Sequence, residues 1–303
     1  MDLFGFLGSI FGWVLYGAYL LVRNYGVAIL LFTLVTKLVF FPSTIKQQKS
    51  MAKNARLSGQ MQALREKYGN NREKLNEETQ KLYEKEGTSP YSGCLSSFLP
   101  MFLLLGVFYA VAYPLTNTLH IDAGMVNNAR DALAAIPGLN LSASQQYGGQ
   151  VEILNYFNAF PSVQACFTEP GMVERISEFA NSFDLCGLNL LVSPSNLGFS
   201  IYLIIPFLSF ATSVASQLIM QKMNGTAQNQ QGCMKLMIYG LPLFSAYISY
   251  TVPAAVGFYW ICSTLISFVQ SIVVHKFFGP DMMIAKGEAA RVALLEQQES
   301  LVK

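Results

Sequence analysis

Lys37 stands alone among apolar side chains in the run ILLFTLVTKLVFFP, residues 29–42. An ammonium near a bilayer centre costs roughly 2.5–3.5 kcal/mol on insertion scales, so a lysine there has either a task or a route to water. Thr33 lies one helical turn before it and Thr36 beside it, so the three would share a helix face. Ser263, Ser267 and Gln270 recur at i, i+4, i+7 in a later apolar run, and Ser209, Ser213, Ser216 and Gln217 sit in a third. Small hydroxyls alone commonly bond their own backbone or help helices pack. One cation with polar faces on separate helices would instead suit a wet pathway inside a bundle. The other reading of Lys37 is snorkelling. It precedes Pro42 by five residues, about 7–8 Å of helix rise, within reach of headgroups for a lysine stem.

The chemistry open to such a set is electrostatic and solvating. No GxxxxGK[ST], HExxH or GxSxG motif occurs, and His120 and His275 are the only histidines. We therefore expect no catalytic residue, no cofactor and no metal, and a protein that is not an enzyme. The five cysteines show no CxxC spacing, which argues against a metal knuckle or a thioredoxin-type site. A net charge of +2 makes no case for sequence-specific nucleic acid.

The elements that must position these residues are membrane helices. Of 303 residues 52% are hydrophobic and only 13% charged, against roughly 25% charged in a soluble domain. The expected fold class is an all-α polytopic membrane protein. Runs of about 20 apolar residues place spans near 25–44, 95–114, 199–220, 234–252 and 256–276, five in all. The further apolar stretch 3–22 has no basic n-region and no A-x-A site, so a cleaved signal is a poor reading. Its Leu and Ile side chains follow helical spacing with Gly5, Gly8 and Gly12 on another side, and an interfacial helix is favoured over a spanning one.

Charge sets the orientation. Residues 43–90 hold ten of the 20 Lys and Arg, whereas 115–198 holds only Arg130 and Arg175 against seven Asp and Glu. Basic loops stay in the cytoplasm. The expected organisation is an external interfacial helix (1–23), a first span (24–44), a cytoplasmic helical hairpin (45–92), a second span (93–114), an extracytoplasmic segment (115–198), third to fifth spans (199–277) and a cytoplasmic tail (278–303). The N-terminus is then outside. In the hairpin, GNN (69–71) forms the turn, and Met51, Ala55, Met61, Leu64 and Tyr68 face Leu75, Leu82 and Tyr83. In the external segment short helices fit near 123–136 and 171–183. Cys166 and Cys186 both fall there, and a bond between them would stabilise by about 3 kcal/mol in the chain-entropy model. The sequence leaves open whether it forms.

The stretch NYGVAILLFTLVTKLVFFPSTIKQQKSMAKNARLSGQMQALREKYGNNREKLNEETQKLYEKEGTSPYSGCLSSFLPMFLLLGVFY, with LIMQKM (218–223) and VGFYWICSTLISFVQS (256–271), resembles the YidC family of membrane protein insertases. The resemblance implies five helices around a hydrophilic groove open to the cytoplasm and the lipid. It implies a cation in the first core span that attracts the polar tail of a single-span substrate, whose apolar helix slides past the third and fifth spans. By position Lys37 takes the place of the family's usual arginine, and Thr33 lies one turn earlier. Trp260 with Tyr259 falls at the substrate-contacting aromatic site, and 45–86 corresponds to the mobile cytoplasmic element. Nascent membrane proteins and the lipid bilayer of a bacterial plasma membrane are the implied partners. The Sec translocon and the ribosome or signal recognition particle are further candidates. Two departures stand out. Lysine lacks arginine's planar fork, and the external segment is longer than in compact family members. A non-catalytic assembly subunit and a small-solute transporter remain the alternatives.

Overall fold

The link between the first two helices has only two residues, yet both ends are capped. A computed structural model describes residues 3–69, 71–85, 105–139, 149–223 and 232–278, with 289, 292 and 293. Helix α1 (Leu3–Val22) and helix α2 (Tyr25–Val39) are separated by Arg23 and Asn24. Arg23 adopts a left-handed conformation, φ 54°, and its N–H donates to the Tyr19 carbonyl at 2.7 Å. The Asn24 carboxamide oxygen accepts from Val27 N at 3.1 Å, an N-cap on α2. Its Nδ2 donates to the Asp184 carbonyl at 2.7 Å.

α2 stops at Phe40, where φ −88° and ψ 5° leave the helical region, and α3 (Phe41–Tyr68) begins with a proline in its first turn. Pro42 disfavours helical geometry in the preceding residue and would clash with the carbonyl one turn back. The first expected span is thus a broken pair of helices, Tyr25–Val39 with Phe41–Gln48.

Among the described residues three single helices are long and apolar enough to cross a membrane, within Gly5–Val22, Ile201–Met223 and Ala254–Phe277, and the broken pair is a fourth candidate. They correspond to the stretch 3–22 and to the expected fifth, third and first spans. The expected fourth span is α11 (Gly232–Thr251). Of the expected second span only 105–114 lies within the described residues, with 105–112 forming the helix α5. The protein is an all-α polytopic membrane protein; among the described residues the stretch after α5 adds a two-stranded hairpin.

The chain divides into two compact units. The second comprises Leu38–Pro100, Gln217–Gln231 and Ser267–Lys303. It holds most of α3 and all of α4 (Arg72–Lys85). Asn71 caps α4, its side chain accepting from Lys74 N at 3.1 Å, while its own N–H donates to Tyr68 O at 2.8 Å. These bonds close the GNN turn. Leu64, Tyr68, Leu75, Leu82 and Tyr83 are half-buried between two otherwise exposed helices. The side chains of Met51 and Ala55, and most of 86–92 and 278–303, lie outside the described residues. On the solvated face Lys81 bridges Glu77 at 2.9 Å and Glu78 at 3.0 Å, which holds the Glu77 carboxyl below its usual range.

The first unit comprises Met1–Lys37, Met101–Ser216 and Gly232–Ile266. Within it the described residues of 115–198 form short helices α6 (Ala123–Ala134), α7 (Gln150–Tyr156), α8 (Pro161–Gln164) and α9 (Met172–Asn181). Strands β1 (Asp184–Leu185) and β2 (Leu188–Asn189) pair antiparallel across Cys186 and Gly187, both at positive φ, as a two-residue hairpin turn requires. Its core includes Leu133, Ile153, Phe157, Ile176, Phe179 and Phe183, all essentially inaccessible. The core continues into the helices. Tyr25 stacks on Phe183 at 4.2 Å, and Phe179 meets Tyr19 and Tyr25 edge-on at 5.0 and 5.2 Å.

α1 is held by Gly8 and Gly12, one turn apart. A Cβ at Gly8 would lie 2.7 Å from that of Tyr109, and one at Gly12 would strike the Asn117 carbonyl. Asn117 and Thr118 belong to a π-helical turn, Pro114–Thr118. Their side chains donate to Tyr109 O and Ala110 O, closing the end of α5. Buried Gln150 completes the turn. Its Oε1 accepts from Leu115 N at 2.9 Å and Thr116 N at 3.0 Å, and its Nε2 donates to Thr116 Oγ1 at 2.9 Å.

Gln150→Ala removes the acceptor of both N–H groups and should destabilise the protein by about 1–3 kcal/mol, read as a lowered midpoint of thermal unfolding in detergent. Gly12→Ala sets a methyl against a backbone carbonyl that cannot rotate away. It should lower the same midpoint by an amount of order 1–3 kcal/mol, whereas Gly17→Ala, which meets nothing within 4 Å, should not.

Candidate functional site

The polar face of α2 is built one turn at a time. Ile29 and Phe32 are fully buried, while Leu34, Val35, Leu38 and Val39 are exposed apolar surface. Between these faces stand Thr33, Thr36 and Lys37. Thr33 is 0% exposed, and its hydroxyl donates to Ile29 O at 2.6 Å. The Thr36 hydroxyl lies 2.9 Å from both Phe32 O and Thr33 O. Both hydroxyls therefore satisfy themselves on their own helix, the ordinary behaviour of threonine in a membrane helix. Lys37 is half-buried in the last turn. Because α2 ends at Phe40, the ammonium lies near the negative end of the helix dipole, which offsets part of the cost of a cation by roughly 0.3–1 kcal/mol.

The aromatic pair is carried by α12 (Ala254–Phe278). Tyr259 is only 5% exposed and Trp260 is half-buried, so Trp260 offers the more accessible ring. Ser263, one turn after Tyr259, is buried. Gln217 on α10 (Ile204–Met223), with Ser267 and Gln270 on α12, belongs to the second unit, and all three are half-buried. The spacing Ser263, Ser267, Gln270 does form one stripe along α12.

What positions Tyr259 and Trp260 is a junction of three helices. Buried Ser249 of α11 donates to buried Ser209 of α10 at 3.2 Å. Gly257 of α12 fits beside them, since a Cβ there would lie 2.6 Å from Ile205 Cγ2 and 3.3 Å from Ser249 Cβ. The break between α11 and α12 is tied to the chain just after β2, with Ala254 N donating to Val192 O and Ala255 N to Leu190 O, each at 2.9 Å. Sequence reasoning noted Ser209 as one hydroxyl among several and missed Ser249 and Gly257. A small residue on each of three apolar helices was the available signal.

Cys166 and Cys186 are both free thiols in this structure. The Cys166 thiol, one turn past Ser162, points at that residue's carbonyl at 3.6 Å. Cys186 is exposed in the β1–β2 turn. The disulfide that the spacing allowed is not formed here. Cys94 and the side chain of Cys233 lie outside the described residues.

Ser249→Ala should leave the Ser209 hydroxyl without its partner and cost about 0.6 kcal/mol, the mean for such membrane pairs. The double variant Ser209→Ala/Ser249→Ala should cost less than the sum of the singles. A double-mutant cycle of unfolding in detergent reads both.

Comparison with known proteins identifies relatives of the chain. The family model for the 60Kd inner membrane protein matches residues 17–281. A membrane protein insertase YidC of Treponema denticola is 29% identical over 266 residues, 85% of this chain and 35% of that protein. The chloroplastic ALBINO3-like protein 1 of Arabidopsis thaliana is 26% identical over 87% of this chain and 45% of its own length. A YidC of Fusobacterium nucleatum is 24% identical over 84% of this chain and 88% of that protein. The chain thus spans well under two thirds of the first two relatives. With α2, the α3–α4 hairpin, the external segment and α10–α12 up to Phe278 all inside the matched region, the chain belongs to the 60Kd inner membrane protein family, that of YidC and ALBINO3.

Proposed function

We propose that this protein is a membrane protein insertase that receives short-tailed substrates in a polar groove and releases their apolar helices into the bilayer. The observation that carries the reading is Lys37, half-buried beside the threonines of a helix whose other residues are mainly apolar, some buried and some exposed, in a chain of the YidC family. Five spans, with α1 at the outer interface, enclose the groove. Thr33, Thr36, Lys37, Gln217, Ser263, Ser267 and Gln270 line it, and Trp260 with Tyr259 meets the departing substrate helix. The aromatic residues Trp13, exposed, and Tyr16, half-buried, on α1 favour an interfacial position for that helix. The basic hairpin 45–92 and the C-terminal tail face the cytoplasm of a bacterium, and 115–198 faces out.

The mechanism needs no nucleotide. Carrying a polar tail through hydrocarbon is opposed by desolvation of charges and backbone groups. A water-filled groove reaching part of the way shortens that barrier, and a fixed ammonium offsets part of the cost of an acidic tail. Burial of the substrate's own helix in lipid supplies the driving force. Nascent membrane proteins are the substrates, handed over by the Sec translocon or by the ribosome and signal recognition particle.

The test is insertion of a single-span substrate with an acidic tail into proteoliposomes. Lys37→Ala should reduce insertion at least tenfold, corresponding to about 1.4 kcal/mol of lost interaction, and Lys37→Arg should retain it. Equal insertion by all three would return Lys37 to snorkelling. Failure of the wild type, folded and correctly oriented, would overturn the insertase reading.

A further inference from the structure

Between the hairpin β1–β2 and helix α10 the chain exposes apolar side chains ahead of the candidate span. Phe199 is 103% exposed and Leu197 is also exposed, and Ile201, Ile204 and Phe207 continue the exposure within the span itself. Gly198 adopts φ 59°, a left-handed conformation that reverses the chain just before Phe199. The loop is nonetheless fastened. A short 3₁₀ turn covers Ile201–Leu203, and the Tyr202 hydroxyl accepts from Asn189 N of β2 at 2.9 Å. The Asn189 side chain in turn accepts from Leu191 N at 2.9 Å. The next carbonyls, Leu190 and Val192, hold the first turn of α12.

We propose that residues 197–203 form a shallow membrane contact, an apolar wedge led by Phe199 that sits at the headgroup–acyl boundary beside α10. The wedge holds the folded external segment against the bilayer. Three observations specify lipid as the occupant. The apolar surface runs without interruption into the exposed face of α10, whose candidate span starts at Ile201. No Asp, Glu, Lys or Arg occurs from 185 to 221, so the charge-free stretch begins well before the span does. The exposed residues are large and contiguous, and a patch of that kind facing water is rare unless something covers it. An amphipathic element at this boundary buries its apolar side in the interface while its polar side stays wet. Ser195 and Asn196 precede the loop and Tyr202 anchors it, which fits that division. The proposal rests on α10 crossing the bilayer, and neither on the insertase reading nor on which side of the membrane the segment faces.

The test places tryptophan at the tip, Phe199→Trp, in a Trp13→Phe/Trp260→Phe background, with the full chain in proteoliposomes. Asn127→Trp, on the exposed polar face of α6, is the control. The expected result is blue-shifted emission from position 199, lost on adding lipids with brominated chains and insensitive to aqueous iodide, with the reverse at position 127. Water-like, iodide-quenched emission at 199 would overturn the proposal. A blue shift unaffected by brominated lipid and rising with protein density would also overturn it, by assigning the patch to a second copy of the chain. If the tryptophan-free background fails to fold, a benzophenone amino acid at position 199 of the otherwise unchanged chain gives the same decision. Lipid adducts on illumination support the wedge; protein-only adducts or none refute it.

Discussion

The first turn of every helix carries N–H groups with no partner in the helix, and at a membrane surface those groups cannot be left beside hydrocarbon. The structure meets this constraint in part with the segment that follows α5. Tyr25 N at the start of α2 donates to Ser182 O, while Ala254 N and Ala255 N at the start of α12 donate to Val192 O and Leu190 O. Gln150 closes the N–H groups of Leu115 and Thr116 just after α5. The described part of 115–198 therefore helps to complete the helices it joins. Its core of Phe157, Phe179 and Phe183 is shared with Tyr19 and Tyr25 of the helices.

The same segment carries the order of the first unit towards the residues proposed to meet substrate. Ala254, the first bound residue of α12, lies five residues ahead of Tyr259, and the Ser209–Ser249 bond with Gly257 brings α10, α11 and α12 into contact there. Lys37 is placed differently. It owes its position to Pro42, because the helix break at Phe40 turns an unremarkable place in a span into the last turn of α2, where the dipole favours a cation.

Much of this was legible beforehand. The apolar runs, the GNN turn and helices near 123–136 and 171–183 all emerge from periodicity and turn residues, because each depends on neighbours in sequence. Lys37, Thr33 and Thr36 share a face for the same reason. The hydroxyls of Thr33 and Thr36 bond their own helix, and Tyr259 is more buried than Trp260; neither follows from spacing, since both depend on what packs against the helix. The break at Phe40 had its signal in Pro42, but a smooth span was the simpler expectation. α1 illustrates the remaining ambiguity, since its length and composition suffice for a span while its glycines serve a close approach to the turn after α5.

By itself, the sequence determined an all-helical membrane protein with a lone cation and a basic hairpin, because hydropathy and charge act through solvent and need no partner. Only the tertiary structure decided that the polar-looking external segment has an aromatic core and that Gln150, Asn117 and Ser249 are structural keystones. It also decided that Cys166 and Cys186 stay apart as thiols in this state. A hydrogen bond or a close glycine contact joins residues distant in the chain, and its geometry exists only once the helices that carry them have packed.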